Sequence, residues 1–149
     1  MPVKKEFIQK WNCKDLSEFR EAAREVFRHL PDRMVLALSG PMGAGKTEMV
    51  KLLCEQQGVR DVVSPTYALH HRYPLKTQGD IEHLDLFRME NEEELDSTGF
   101  WDFFFEKQGW IFIEWPEKMN LEQIPDDWSL FLLDLKVDGD SRELSLFRR

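Results

Sequence analysis

Gly40, Gly43, Gly45, Lys46 and Thr47 fall in the run LALSGPMGAGKT, residues 36–47, and fit the pattern G-x-x-x-x-G-K-[ST] from Gly40 to Thr47. Those residue types suit one kind of ligand. Glycines let backbone N–H groups approach phosphate oxygens, the start of a helix adds the positive end of its dipole, a lysine supplies a compact cation, and a threonine hydroxyl can ligate magnesium. Pro41, Met42 and Ala44 complete the loop, so Pro41 to Thr47 is the stretch expected to hold a nucleoside triphosphate. A strand-turn-helix connection without a ligand is the alternative, and it gives lysine and threonine nothing to do at those two places.

Two carboxylates stand where such a loop needs them. Trp110 to Ile113 reads as a short apolar strand ending in Glu114, and the apolar run Ile81 to Leu84 ends in Asp85. Ligands of α/β sheets bind outside the carboxyl ends of the strands, so an acid there can hold magnesium directly or through water. One of Asp85 and Glu114 would orient the metal beside Thr47, and the other would orient or deprotonate an attacking water. Without the glycine-rich loop either acid could equally be a plain surface charge. In VVSPTYAL, Ser64, Pro65 and Thr66 lie at the entry to a β-like run, where a hydroxyl reaches a phosphate or its magnesium, or simply caps a turn.

The elements that must position these groups follow from periodicity. Val3 to Trp11 suits an edge strand, and Leu16 to Leu30 carries Leu16, Phe19, Ala23, Val26, Phe27 and Leu30 at helical spacing, with Asp15 or Ser17 as its cap. Pro31 and Asp32 stop that helix, Arg33 to Leu38 is the strand entering the loop, and Lys46 to Gln56 is the helix leaving it, with Gly58 placed to end it. Met49, Val50, Leu52 and Leu53 read as core contacts that fix the loop. Thr66 to Tyr73 and Asp80 to Phe87 resemble a hairpin with Pro74 to Gly79 as its turn, and Asn91 to Asp96 is a short helical turn. Phe100, Trp101, Phe103, Phe104 and Phe105 read as a core-facing helix or, since one short helix cannot turn every ring inward, as part of a partner surface. Trp128 to Val137 and Ser141 to Phe147 form a second hairpin about an Asp138-Gly139 turn, and Arg148 and Arg149 read as a solvated end. The expected fold class is α/β: one P-loop NTPase-like domain over residues 1–149, a central mixed sheet flanked by helices, with antiparallel edge strands beside a parallel centre.

Composition narrows the setting. A chain of 149 residues has room for one core, and 42% apolar residues including 11 Phe and 5 Trp can fill it. No apolar run approaches the ~20 residues of a membrane span, and MPVKKEFIQKWN lacks the features of a signal peptide, so no membrane role and a cytoplasmic location are expected. Cys13 and Cys54 have neither a C-x-x-C nor a metal spacing and read as packed free thiols. A net charge of −8 argues against a surface built to neutralise nucleic-acid phosphates, so any RNA contact is expected through a local patch or a basic partner.

The ordered set GPMGAGKT, VVSPTYAL, HLDLFR and IFIEWPEK resembles the bacterial TsaE family, formerly YjeE, over most of the chain, from about residue 15 to the C-terminal hairpin. The resemblance implies ATP with Mg2+ as ligands, weak intrinsic hydrolysis, and work as a subunit acting on the TsaD and TsaB synthase pair of tRNA threonylcarbamoyladenosine biosynthesis. It makes Gly40 to Thr47 the Walker A loop, with Lys46 on the β and γ phosphates and Thr47 on magnesium. Thr66 falls in a switch-like segment, Asp85 matches the family's functionally important acid, and Glu114 its Walker B-like acid. Phe87 and Tyr67 replace the family's frequent tyrosine and phenylalanine, each keeping a ring. A small-molecule kinase would need a lid bearing several arginines, and a GTPase-type switch would need an Asn-Lys-x-Asp guanine reader. Asn12 to Asp15, NCKD, has the wrong order for that reader and precedes the loop.

Overall fold

A computed structural model of the protein describes residues 4–60, 62, 70–74 and 79–149. Its strands are β1 (Glu6–Cys13), β2 (Arg33–Ser39), β3 (His70–Pro74), β4 (Asp80–Asp85), β5 (Gly109–Glu114), β6 (Ser129–Asp138) and β7 (Ser141–Arg148). The helices are α1 (Leu16–His29), α2 (Lys46–Gln56) and the single turn α3 (Glu93–Asp96), with a 3-10 segment at Phe100–Phe105. Among the described residues the strands form one sheet in the order β1-β7-β6-β2-β5-β4-β3.

Strand β2, RMVLALS, is buried from Met34 to Leu38, which requires a covered sheet on both faces and places it at the centre. It pairs in parallel with β5 and β6, β4 extends the parallel set beyond β5, and the pairs β3–β4, β6–β7 and β1–β7 are antiparallel. A mixed sheet with a parallel centre and antiparallel edges is the architecture expected from the pattern. Side chains alternate across it. Met34, Leu36, Leu38, Trp110 and Phe112 pack against α1 and α2, while Val35, Ile111 and Ile113 pack on the opposite face under the 3-10 segment. Each such fully buried side chain contributes ~1.5–3 kcal/mol, so the two apolar layers hold the strand ends that carry the polar site.

Helix α1 is capped by Asp15, whose carboxylate accepts from Glu18 N at 2.9 Å, and α2 ends before Gly58 at φ 87°. Met49, Val50 and Leu53 on α2 are fully buried and Leu52 packs beside them. Phe100, Phe103 and Phe104 turn inward around Trp128, at ring separations of 5.8 Å for Phe103 and 5.2 Å for Phe104. The core thus takes three of the five rings; Trp101 is half-buried and Phe105 is 86% exposed. Cys13 and Cys54 are free and buried.

Two local readings are corrected. The β6–β7 turn consists of Gly139 and Asp140, since Asp138 still pairs with Ser141. Arg149 is not a solvated end: its guanidinium donates to the carbonyls of Ile124, Pro125 and Trp128 at 2.8–2.9 Å, fastening the last strand to the loop before β6. Two of its nitrogens reach three carbonyls of irregular backbone, one of which, Pro125 O, also takes the Trp128 N–H, a pairing between residues at least 21 apart that no local pattern signals. The expected hairpin before β4 is present as β3 and β4, while its proposed start at Thr66 and most of its turn lie outside the described residues.

Candidate functional site

The glycine-rich loop joins the carboxyl end of β2 to α2. Gly40 has φ 150°, and a Cβ there would lie 2.6 Å from the Leu135 carbonyl oxygen on β6, so only glycine permits that approach. Gly45, the N-cap of α2, has φ 108°, and its Cβ would meet the Phe19 ring at 3.0 Å. Among the described residues no side chain caps this helix start. Its first N–H groups and the positive dipole end are therefore left for an external acceptor, the usual arrangement at an anion site.

Lys46 opens the helix and is only 6% exposed. Its ammonium donates to the carbonyl oxygens of Gly40 and Pro41 and lies 3.6 Å from the centroid of the Trp115 ring. Burial pushes its pKa down from the usual lysine range, against the opposing charges of Glu114, Glu117 and Asp85. The loop carbonyls and the indole face hold the cation at the mouth of the loop.

Thr47 comes next, and its hydroxyl meets both carboxylate oxygens of Glu114, at 2.9 and 3.1 Å. Glu114 is the last residue of β5 and 2% exposed. Its Oε2 lies 2.6 Å from His83 Nε2, and a carboxylate acceptor puts the ring hydrogen on that nitrogen. His83 is fully buried, and its Nδ1 has no hydrogen-bond partner among the described residues. Asp85 ends β4 and stands opposite Glu114 in the parallel ladder. Its carboxylate accepts from Phe87 N at 3.0 Å. Burial pushes the Asp85 pKa up; the Phe87 bond opposes that, Glu114 reinforces it, and His83 and Lys46 oppose it.

The chain leaves Glu114 through a strained residue. Trp115 has φ 60°, the left-handed region that costs a bulky residue on the order of 1–3 kcal/mol, and it is the one non-glycine residue there among the described residues. That turn puts the indole over Lys46 and 4.9 Å from the Phe87 ring.

The structure thus brings Thr47 and Glu114 into direct contact, sets Lys46 over the ring of Trp115, the residue after Glu114, and places Asp85 in the neighbouring strand register. Gly43 and Ala44 lie in the same loop, and Pro41 and Met42 are at its exposed tip. Thr66 lies outside the described residues. Two participants escaped the sequence reading. His83 could have been found, because period two puts it on the same strand face as Asp85. Arg142 could not: its guanidinium donates to Ala44 O at 3.2 Å and Gly43 O at 3.3 Å across 98 and 99 residues of chain.

The donor set suits magnesium that arrives with a nucleotide. The Thr47 hydroxyl hydrogen is taken by Glu114, so its lone pairs face the loop, and Asp85 is a half-buried carboxylate whose charged form is disfavoured by burial more than the Phe87 bond, His83 and Lys46 offset. Among the described residues no group of three or more His, Cys, Asp or Glu side chains could hold a metal, so a magnesium ion at Thr47 would need phosphate oxygens and water to complete its shell. Beside the loop a cleft of about 230 Å³ is lined by Phe19, Gly43, Gly45, Glu48, Asp140 and Arg142 among others. Among the described residues no helix is long and apolar enough to cross a membrane.

The family model described as threonylcarbamoyl adenosine biosynthesis protein TsaE matches residues 13–144. The chain is similar to the tRNA threonylcarbamoyladenosine biosynthesis protein TsaE of Borreliella burgdorferi, at 33% identity over 124 residues, 83% of this chain and 88% of the relative. The protein of the same description from Bacillus subtilis is 31% identical over 139 residues, 91% of this chain and 83% of the relative. The crystal structure of Bacillus subtilis YdiB superposes with a TM-score of 0.68 at 25% identity, covering 99% of this chain and 88% of that one.

Proposed function

This chain belongs to the TsaE family, and we propose that it binds ATP with magnesium and hydrolyses it slowly as a subunit of the tRNA threonylcarbamoyladenosine machinery. The observation that carries this is the Lys46, Thr47 and Glu114 assembly at a helix start without a side-chain cap. A triphosphate lies along the loop, its oxygens meeting the first N–H groups of α2, and Lys46 exchanges the Gly40 and Pro41 carbonyls for the β and γ phosphates. The nucleoside occupies the cleft beside Phe19 and Glu48.

Glu114 holds the Thr47 hydroxyl so that its lone pairs face the phosphates, and His83 holds Glu114 from behind. Magnesium bound there would neutralise the charge that develops on the phosphate oxygens. Asp85, free of His83 and Thr47, orients the attacking water and accepts its proton; its raised pKa suits a base. The water oxygen bonds to the γ-phosphorus as the bond to the β–γ bridging oxygen breaks, releasing ADP and phosphate.

Turnover by the isolated chain is slow because, among the described residues, no arginine stands ready as a transition-state finger beside Lys46. Arg88 is exposed, and Arg142 is spent on loop carbonyls. TsaD-like and TsaB-like synthase subunits complete the site in the cytoplasm, and residues 1–149 act as one domain. With a net charge of −8, the chain meets tRNA only through those partners. The test compares ATP hydrolysis by the chain alone and with the two synthase proteins, and measures tRNA modification in parallel. Stimulated hydrolysis and modification that depends on this chain are expected; no change in either defeats the proposal.

A further inference from the structure

Arg142 is the second residue of β7, opposite Val137 of β6 and Cys13 of β1, and its side chain leaves the sheet toward the phosphate loop. Nε and Nη2 donate to the carbonyls of Ala44 and Gly43, while Nη1 donates to those of Gly139 at 3.3 Å and Ser141 at 3.0 Å. One planar fork thus ties the β6–β7 turn to the two loop peptides just before the helix start. In a trans peptide the C=O and N–H point in opposite directions. Holding the Ala44 oxygen on the β7 side therefore turns the Gly45 N–H away from β7, into the hollow of the loop. The Gly43 oxygen is held in the same way, and the N–H of that peptide, on Ala44, closes the loop's own turn onto Pro41 O at 3.1 Å.

Gly43 and Gly45 both have positive φ, and glycine there carries the largest backbone entropy to lose. A loop built that way has to be ordered by something, and either the ligand or the protein supplies the ordering. We propose that Arg142 is the positioning residue that orders the phosphate loop before nucleotide arrives, so that it sets nucleotide affinity without taking part in the chemical step. The inference rests on the nucleotide-binding reading of the loop.

The test uses the full chain with Arg142→Met, which keeps the aliphatic stem, Arg142→Lys, which keeps the charge without the fork, and Arg142→Ala. Calorimetric titration with MgATP and with ADP should show affinity falling about 10- to 100-fold in Arg142→Met, the loss expected when charge-assisted bonds no longer prepay the ordering. At saturating ATP, kcat should stay within about 3-fold of wild type, the mark of binding lost equally from ground and transition states. Arg142→Lys should not restore affinity, whereas millimolar methylguanidinium should partly restore it in Arg142→Ala. Amide exchange of residues 40–47 in the ligand-free protein should speed up in Arg142→Met, a readout that needs no nucleotide. Thermal melting checks each variant, and Arg142→Lys repeats every measurement with a smaller change to the fold. Wild-type affinity in Arg142→Met, unchanged exchange of the loop, or a fall in kcat with affinity intact would each overturn the assignment. If the wild-type chain itself binds no ATP, the nucleotide reading falls and this one with it.

Discussion

Replacing Glu114 by glutamine should remove magnesium dependence while leaving the fold in place, and the reason lies in who donates to whom. Glu114 accepts from Thr47 Oγ1 at 2.9 Å and from His83 Nε2 at 2.6 Å. Glutamine has one acceptor oxygen and one NH2. Turning the NH2 toward His83 would force the ring hydrogen onto Nδ1, a buried atom with no partner among the described residues, and a buried N–H without an acceptor is the less tolerated of the two orphan states. The glutamine oxygen therefore stays on His83, and the NH2 faces Thr47. The threonine oxygen then accepts, and its hydrogen swings toward the position a cation would take, which blocks ligation. Glu114→Ala behaves differently because it strands both donors: the cost is about 2–3 kcal/mol with water reaching the half-buried Thr47, or a melting point lower by roughly 5–10 °C. Calorimetric ATP titrations with magnesium and with EDTA, run beside thermal melts, read both effects. In wild type magnesium should tighten ATP; in Glu114→Gln the two titrations should coincide, with melting within about 3 °C of wild type. A Glu114→Gln protein that keeps the wild-type magnesium increment would show that Thr47 is not oriented by Glu114.

Lys46→Ala should weaken ATP binding by at least about 30-fold, from loss of charge-assisted bonds worth about 2 kcal/mol, without lowering the melting temperature, because burial already disfavours the ammonium; calorimetry and melting read the two. Asp85→Asn keeps an oxygen for Phe87 N and should fold normally while turnover with the partner proteins falls by about 100-fold or more, the scale of general-base loss, measured as phosphate release at saturating ATP. Cys54 gives a pH signature. Burial pushes its thiol up to about 12 from 9.0, so the unfolded thiol ionises first: its stabilising contribution is complete below pH 9 and is lost as pH rises toward 12, about 2–3 kcal/mol by pH 11. Urea melts between pH 8 and 11 should therefore lose stability less steeply in Cys54→Ala than in wild type.

What was legible in the chain was whatever local spacing encodes. The run from Gly40 to Thr47 carries its backbone requirements in adjacent glycines, and the apolar stretches ending in Asp85 and Glu114 mark strand ends, so the loop and both acids could be placed before any contact was known. Strand order was not legible in that way: β6 joins β2 in parallel although 89 residues separate Ser39 from Ser129, and only a sheet already built explains why Leu135 lies against Gly40. The links that give the site its behaviour are of this second kind. Trp115 reads as one more apolar residue, yet its positive φ comes from holding a buried strand end and an indole over Lys46 at once, a conflict that tertiary packing resolves against the residue's own preference. Arg142 and Arg149 stand near the chain's end in SRELSLFRR, where charge pattern alone says solvent. Both instead spend guanidinium donors on backbone carbonyls of irregular segments, Arg142 on the glycine-rich loop and Arg149 on the segment before β6. Such carbonyls have no sequence signature, because every residue carries one, so the arginines that fasten irregular backbone stay invisible until the fold shows which oxygens lie within their reach. The same logic makes the C-terminal hairpin, with no residue of the Gly40–Thr47 motif, a structural component of the glycine-rich loop: it supplies the oxygen that excludes a side chain at Gly40 and the cation that holds the Gly43 and Ala44 carbonyls.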